Sequence, residues 1–267
     1  MLTILIPPSA APVDVAEARA HVRAGNTEDA RLRRMIRGCA RWAQTQLQRT
    51  IIATRLVYTA DCFGCGCIDL EFGPVQRVLS VNYLDTAGVW QTLSASAYVV
   101  DLSGPLARVA PAYGTAWPAV QQQPGAVRVV FDAGYAVPIV ADAAANTITL
   151  RGSWPDLAVN ASVRLSNSGG VLPAPLQPDV DYYVQQVVST GVYKLSATSG
   201  GAAIDIADTG SGTHFLGEVP DNIVDWILLR VGSLFENREA EVQLERGSLT
   251  PLPFVDRLLD GDTVVNY

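Results

Sequence analysis

Apolar residues recur at three- and four-residue steps in three stretches of the chain and at closer, strand-like spacing through most of the rest. The first helical stretch, PVDVAEARAHVR, predicts a helix from about Val13 to Arg23, with Ala and Val on one face and Glu17, Arg19 and Arg23 among its polar positions. The second is stronger. Leu32, Met35, Ile36, Cys39, Ala43 and Leu47 form one stripe, Thr27 is a candidate N-cap, and Glu28 and Asp29 suit the first turn. Arg31, Arg33, Arg34, Arg37 and Arg41 fall mostly off that stripe, as a solvated face or as a contact with an acidic neighbour. The third, PDNIVDWILLRVGSLFENRE, starts after Pro220 with Asp221 or Asn222 as cap, and Ile223, Trp226, Ile227, Val231 and Leu234 make its expected buried face. A short helix, PFVDRLLDG, stops at Gly261.

From Ile51 to about Tyr135 the pattern is that of strands: IIATRLVYTAD, CIDLEF, VQRVLSVNYLD, VWQTLSASAYVVDL, ARVAP and AVRVVFDAGY, separated by GP, AG, SGP and PG turns. DTAGVW reads as a hairpin turn near Ala87 and Gly88. Residues from Ala141 to Gly217 have sparse charge, Gly- and Ser-rich turns and no helical period, as expected of a small all-β module. VPIVADAAAN is its expected entry strand or linker. The fold class is therefore α+β.

A formal net charge of −7 argues against a surface that grips nucleic acid, yet is compatible with DNA passing nearby. The apolar start MLTILI lacks a basic flank and meets two prolines, so it is too short for a secretion signal or a membrane span. The expectation is a soluble, cytosolically made chain whose four cysteines are free thiols or ligands rather than disulfides.

The element order resembles the head–tail connector, or adaptor, family of long-tailed bacteriophages. The segments that carry the resemblance are PVDVAEARAHVR with TEDARLRRMIRGCARWAQTQLQRTII, then FGPVQRVLSVNYLDTAGVWQTLSASAYVVDL, VRVVFDAGYAVP, VPDNIVDWILLRVGSLFENREAE and LPFVDRLLDG. Family members pass directly from the AGY turn into the VP-initiated helix. Here Val137–Pro138 and Val219–Pro220 bracket an extra module, which itself resembles a β unit of phage structural proteins through SGGVLPAPLQPDVDYYVQQ, YKLSATSGGAAIDI and DTGSGTHF.

The resemblance implies a connector core over 1–136 and 220–267, and an inserted all-β domain over 137–219. It implies a virion protein at the head–tail neck, in a ring of about twelve copies between the portal protein and the downstream head-closure and tail proteins. DNA would pass through the channel without specific binding, and no membrane, cofactor or reaction is implied. The ring segment Arg230, Glu236, Asn237, Arg238 and Glu239 is the candidate interface. An alternative function is glycan or receptor binding through the insert, on an aromatic platform of Trp154, Tyr182, Tyr183 and Tyr193; core packing is the competing account of those tyrosines.

Catalytic patterns such as GxSxG, HExxH or a phosphate-binding loop are missing from the sequence, which carries only two histidines. CFGCGC places Cys62, Cys65 and Cys67 together, but a closed zinc shell needs four ligands. A fourth would come from Cys39, His21, His214 or another subunit, so a tight turn with incidental thiols is the better reading. GSGTH (Gly210 to His214) reads as a turn into a strand, and Trp42 and Trp226 as core residues.

Overall fold

The computed structural model describes residues 1–64, 66–237, 255 and 257–263. Among the described residues, the named helices α1 (Val15–Val22), α2 (Asp29–Leu47) and α3 (Asp221–Glu236) combine with fourteen strands. The first eight are β1 (Leu2–Ile6), β2 (Thr54–Ala60), β3 (Ile68–Leu70), β4 (Val75–Leu84), β5 (Trp90–Thr92), β6 (Tyr98–Asp101), β7 (Ala107–Pro111) and β8 (Val127–Ala133). Six more follow: β9 (Ala136–Asp142), β10 (Thr147–Leu150), β11 (Ser162–Ser168), β12 (Asp181–Ser189), β13 (Val192–Ser196) and β14 (Thr213–Gly217). The architecture is α+β.

The helices gather because each buries one stripe. On α2 that stripe is Leu32, Ile36, Cys39, Ala40, Ala43 and Leu47, and it meets Ile223, Trp226, Ile227 and Val231 of α3. Helix α1 begins where Asp14 accepts a hydrogen bond from the Ala16 amide at 2.8 Å, an ordinary carboxylate cap. Two capping expectations fail. A 3₁₀ turn over Asn26–Glu28 displaces Thr27 from the start of α2, which begins without a side-chain cap. Pro220, rather than Asp221 or Asn222, is the N-cap of α3; its fixed φ of −53° already suits a helix entry.

Two burial expectations also change. Trp42 remains 45% exposed, although its ring meets that of Trp226 on α3. Leu234 is exposed in the last turn of α3. Of the terminal helix and tail, only Val255 and Arg257 to Thr263 lie among the described residues; Val255 and Arg257 are helical, and a turn follows.

A five-stranded antiparallel sheet runs in the order β1-β2-β8-β4-β5, and a three-stranded sheet in the order β3-β7-β6. They share a core of Leu56, Leu70, Val81, Val109, Val129 and Phe131. The hairpin turn joins β4 to β5 as expected, with Asp85 accepting from the Ala87 and Val89 amides and Gly88 at φ 81°. Those hydrogen bonds, the one from Val89 foremost, hold the Asp85 carboxyl below its ordinary range. The start of the chain, read only as too short for a span, is strand β1, paired with β2 along one edge.

Strands β9 to β14 close into a six-stranded barrel, in the order β10-β13-β12-β11-β14-β9. Its interior is filled by Val137, Ile139, Ile148, Leu165, Val184 and Leu195. The first and last strands pair side by side, Ala136 with Gly217, so the chain enters and leaves at one place. Gly134 makes the turn into the barrel possible: at φ 140° it lies so close to the preceding chain that a Cβ would sit 2.6 Å from the Ala53 nitrogen.

Candidate functional site

Helices and barrel are locked through the cap of α1. Asp14 Oδ2 accepts from the Thr213 hydroxyl at 2.6 Å, the Asp14 amide donates to Ser168 Oγ at 2.6 Å, and that hydroxyl donates to Glu17. Phe215 of β14 and Ala136 of β9 reach into the helical core. The sequence marked Glu17 only as a polar helix position; residues 150 or more positions apart carry no local signal of pairing.

The cysteine turn is held by an aromatic anchor. Phe63 is buried and stacks on Trp117 with ring centroids 4.6 Å apart and an interplanar angle of 6°. The Trp117 indole N–H donates to the Gly66 carbonyl at 2.7 Å, and Gly64 takes φ 74°. Cys62 and Cys67 are exposed, and Cys67 Sγ donates to Asp69 at 3.7 Å; Cys65 lies outside the described residues. Cys39 is buried in α2, and that burial pushes its thiol up to about 11.

The aromatic platform does not assemble on the barrel surface. Tyr182 and Tyr193 are buried, and their hydroxyls accept from the Gln177 amide at 2.8 Å and the Leu157 amide at 3.2 Å. Trp154 packs against the same barrel core. Gly210 to Gly212 form the turn into β14, and His214 within that strand is buried between Asn167, whose amide lies 2.7 Å from Nδ1, and the Thr209 carbonyl, 2.9 Å from Nε2.

The candidate interface residues separate into three groups. The Arg230 guanidinium lies 4.7 Å from the Trp42 ring centre and 5.3 Å from that of Trp226, a cation held between two indoles. Those indoles meet edge to face at 5.4 Å. Asn237 donates its side-chain amide to the Ser233 carbonyl at 3.0 Å and so finishes α3, beside an exposed Glu236. Arg238 and Glu239 lie outside the described residues.

The exposed charges of the two long helices are segregated by sign. On α2, Arg33, Arg34, Arg37 and Arg41 are exposed, and no acidic residue follows Asp29 in that helix. Arg33, Arg37 and Arg41 line a cleft of about 1020 Å³ whose lining also includes Ile4, Ala40 and Ile51. Arg31 is set apart from them: it donates to the Phe235 carbonyl at 3.1 Å and lies 3.6 Å from Glu28. On α3, the outward stripe is Asp221, Asp225, Leu229 and Glu236. In the sequence Asp221 stands out only as a candidate cap, and Asp225 carries no signal of a role.

No protein-family model and no curated protein matches this chain. Among the described residues no helix is long and apolar enough to cross a membrane, and no group of His, Cys, Asp and Glu is placed to hold a metal ion. Solved structures do match it. One is a chain of the neck of an empty gene transfer agent (GTA) particle computed with C6 symmetry, at 17% identity and a TM-score of 0.56. A chain of the virion of a native GTA particle matches at 15% identity and 0.56, and one of the neck of a native GTA particle computed with C12 symmetry at 15% and 0.52. Each likeness covers 100% of this chain, barrel included, and 97% of the other. Over its whole length, this chain therefore shares the fold of chains found in gene transfer agent particles and their necks.

Proposed function

We propose that this chain is a structural protein of the neck of a tailed, phage-like particle, a head–tail adaptor made in the host cytoplasm. About twelve copies form a ring under the portal protein, join the capsid to head-closure and tail proteins, and leave a channel through which DNA passes unheld. The core is residues 1–136 and 220–267, and the β barrel over 137–219 is inserted into it. The adjacent entry and exit strands of the barrel support that division, because a unit with neighbouring ends adds to a host loop at little cost. The adaptor works by geometry, with no reaction and no cofactor.

The observation that carries this reading is the likeness to neck chains along the full length, at the same chain extent. Its test is imaging of purified particles, averaged about the tail axis. The expected result is density for this chain in a ring between head and tail. A neck fully accounted for by other chains would overturn it.

A further inference from the structure

We propose that neighbouring copies join head to tail through the arginine face of α2 on one copy and the acidic stripe of α3 on the next. This rests on the ring proposed above and identifies the surfaces that build it. The exposed charges of the two helices are segregated by sign. Arg34, Arg37 and Arg41 make no ion pair among the described residues, and neither do Asp225 and Glu236. A chain with net charge −7 repels its own copies unless its few cationic patches meet anionic ones.

The two patches lie on different helices, each on the side turned away from the α2–α3 contact. A two-fold contact through either patch would set like charge against like. Matching them demands that one copy's α2 face meet another's α3 face, the heterologous arrangement that closes into rings.

Successive arginines Arg33, Arg37 and Arg41 stand one helical turn apart, as do Asp221, Asp225 and Leu229, so the two rows share a spacing of about 6 Å. The cleft beside the arginines offers apolar surface from the exposed Ile4 and Pro8, where the exposed Leu229 between the acids can be seated. The contact thus has an apolar centre with charges around it, and the charges set register and exclude the wrong pairing.

The test is charge reversal in cells that make particles but lack the native copy. One variant carries R37E and R41E, the other D225K and E236K. Asp221 is left intact because its carboxylate favours the first turn of α3. Each variant alone sets like charge against like at the reversed positions, and the yield of tailed particles is expected to fall at least about tenfold. Co-expressed, they present opposite faces at every junction, and the yield should return to within about threefold of the native chain. That rescue also shows that both variants fold.

Three results would overturn the proposal. One is normal yield from either variant alone; another is failure of the mixture to recover. In the third, the arginine variant assembles tailed particles that deliver no DNA while the α3 variant behaves as native, which would assign the arginine face to nucleic acid. Failure of the adaptor reading looks different: the imaging above would find no copy at the neck, whatever the charge reversals do.

Discussion

Asp132 is the most exposing single test of how the five-stranded sheet is held together. Its carboxylate is fully buried on β8 and takes three hydrogen bonds from the flanking strands: Arg55 Nε at 2.8 Å and Nη2 at 3.1 Å from β2, and Arg77 Nε at 2.8 Å from β4. Asp132→Asn keeps the volume but removes the charge and turns amide hydrogens towards two guanidinium groups. Each charge-assisted hydrogen bond contributes about 1.5–3 kcal/mol, and removing one member of a buried ionic set costs about 3–5 kcal/mol. The arginines keep side-chain exposures of 22% and 31%, so water takes over part of their solvation and the lower half of that range is expected. A loss of about 3–4 kcal/mol is a large share of a stability of about 5–15 kcal/mol. At about 2–4 °C per kcal/mol, calorimetry should show the midpoint falling by roughly 10 °C, and urea titration should show the matching shift. Replacing the set together, with Asp132→Leu, Arg55→Met and Arg77→Met, should recover much of the loss, because no charge is left buried without a partner. If Asp132→Asn stays within about 1 kcal/mol of the native chain, the three-strand ionic tie is not what stabilises this sheet.

Gly134→Ala should destabilise by about 3 kcal/mol or more, since φ 140° is strained for alanine and its Cβ would meet the Ala53 and Ile52 backbone at 2.6–2.8 Å; denaturant midpoints check this, and a neutral result would show that the turn can shift. Cys39 gives a pH signature. Its thiol titrates at about 11 when folded and near 8.5 when unfolded, so its contribution is complete below the unfolded value and is lost as pH rises through the folded one. Stability measured from pH 8 to 11 should therefore fall more steeply for the native chain than for Cys39→Ala, and identical slopes would refute the assignment. At pH 8 a thiol reagent should label Cys62 and Cys67 fast and Cys39 only on unfolding.

The period of apolar residues was enough to place all three helices and most strands, because helix and strand faces are local properties. The stripe Leu32, Ile36, Cys39, Ala43, Leu47 needed only a single core to bury it, and it is buried. The same period misjudged Trp42 and Leu234, since how much of a side chain its neighbours cover is decided by segments that no local window contains. Helix caps failed too: a 3₁₀ turn over Asn26–Glu28 takes up Thr27 before α2 begins. For the candidate surface, the sequence by itself determined which residues carry charge and that α2 carries almost one sign. Only the tertiary structure decided that Arg230 lies between two indoles, that Asp132 is buried under two arginines, and that each charged face lies off the stripe through which α2 and α3 meet. Charge is written residue by residue, but its partner, its burial and its direction come from chain segments many tens of residues apart, brought together only by folding.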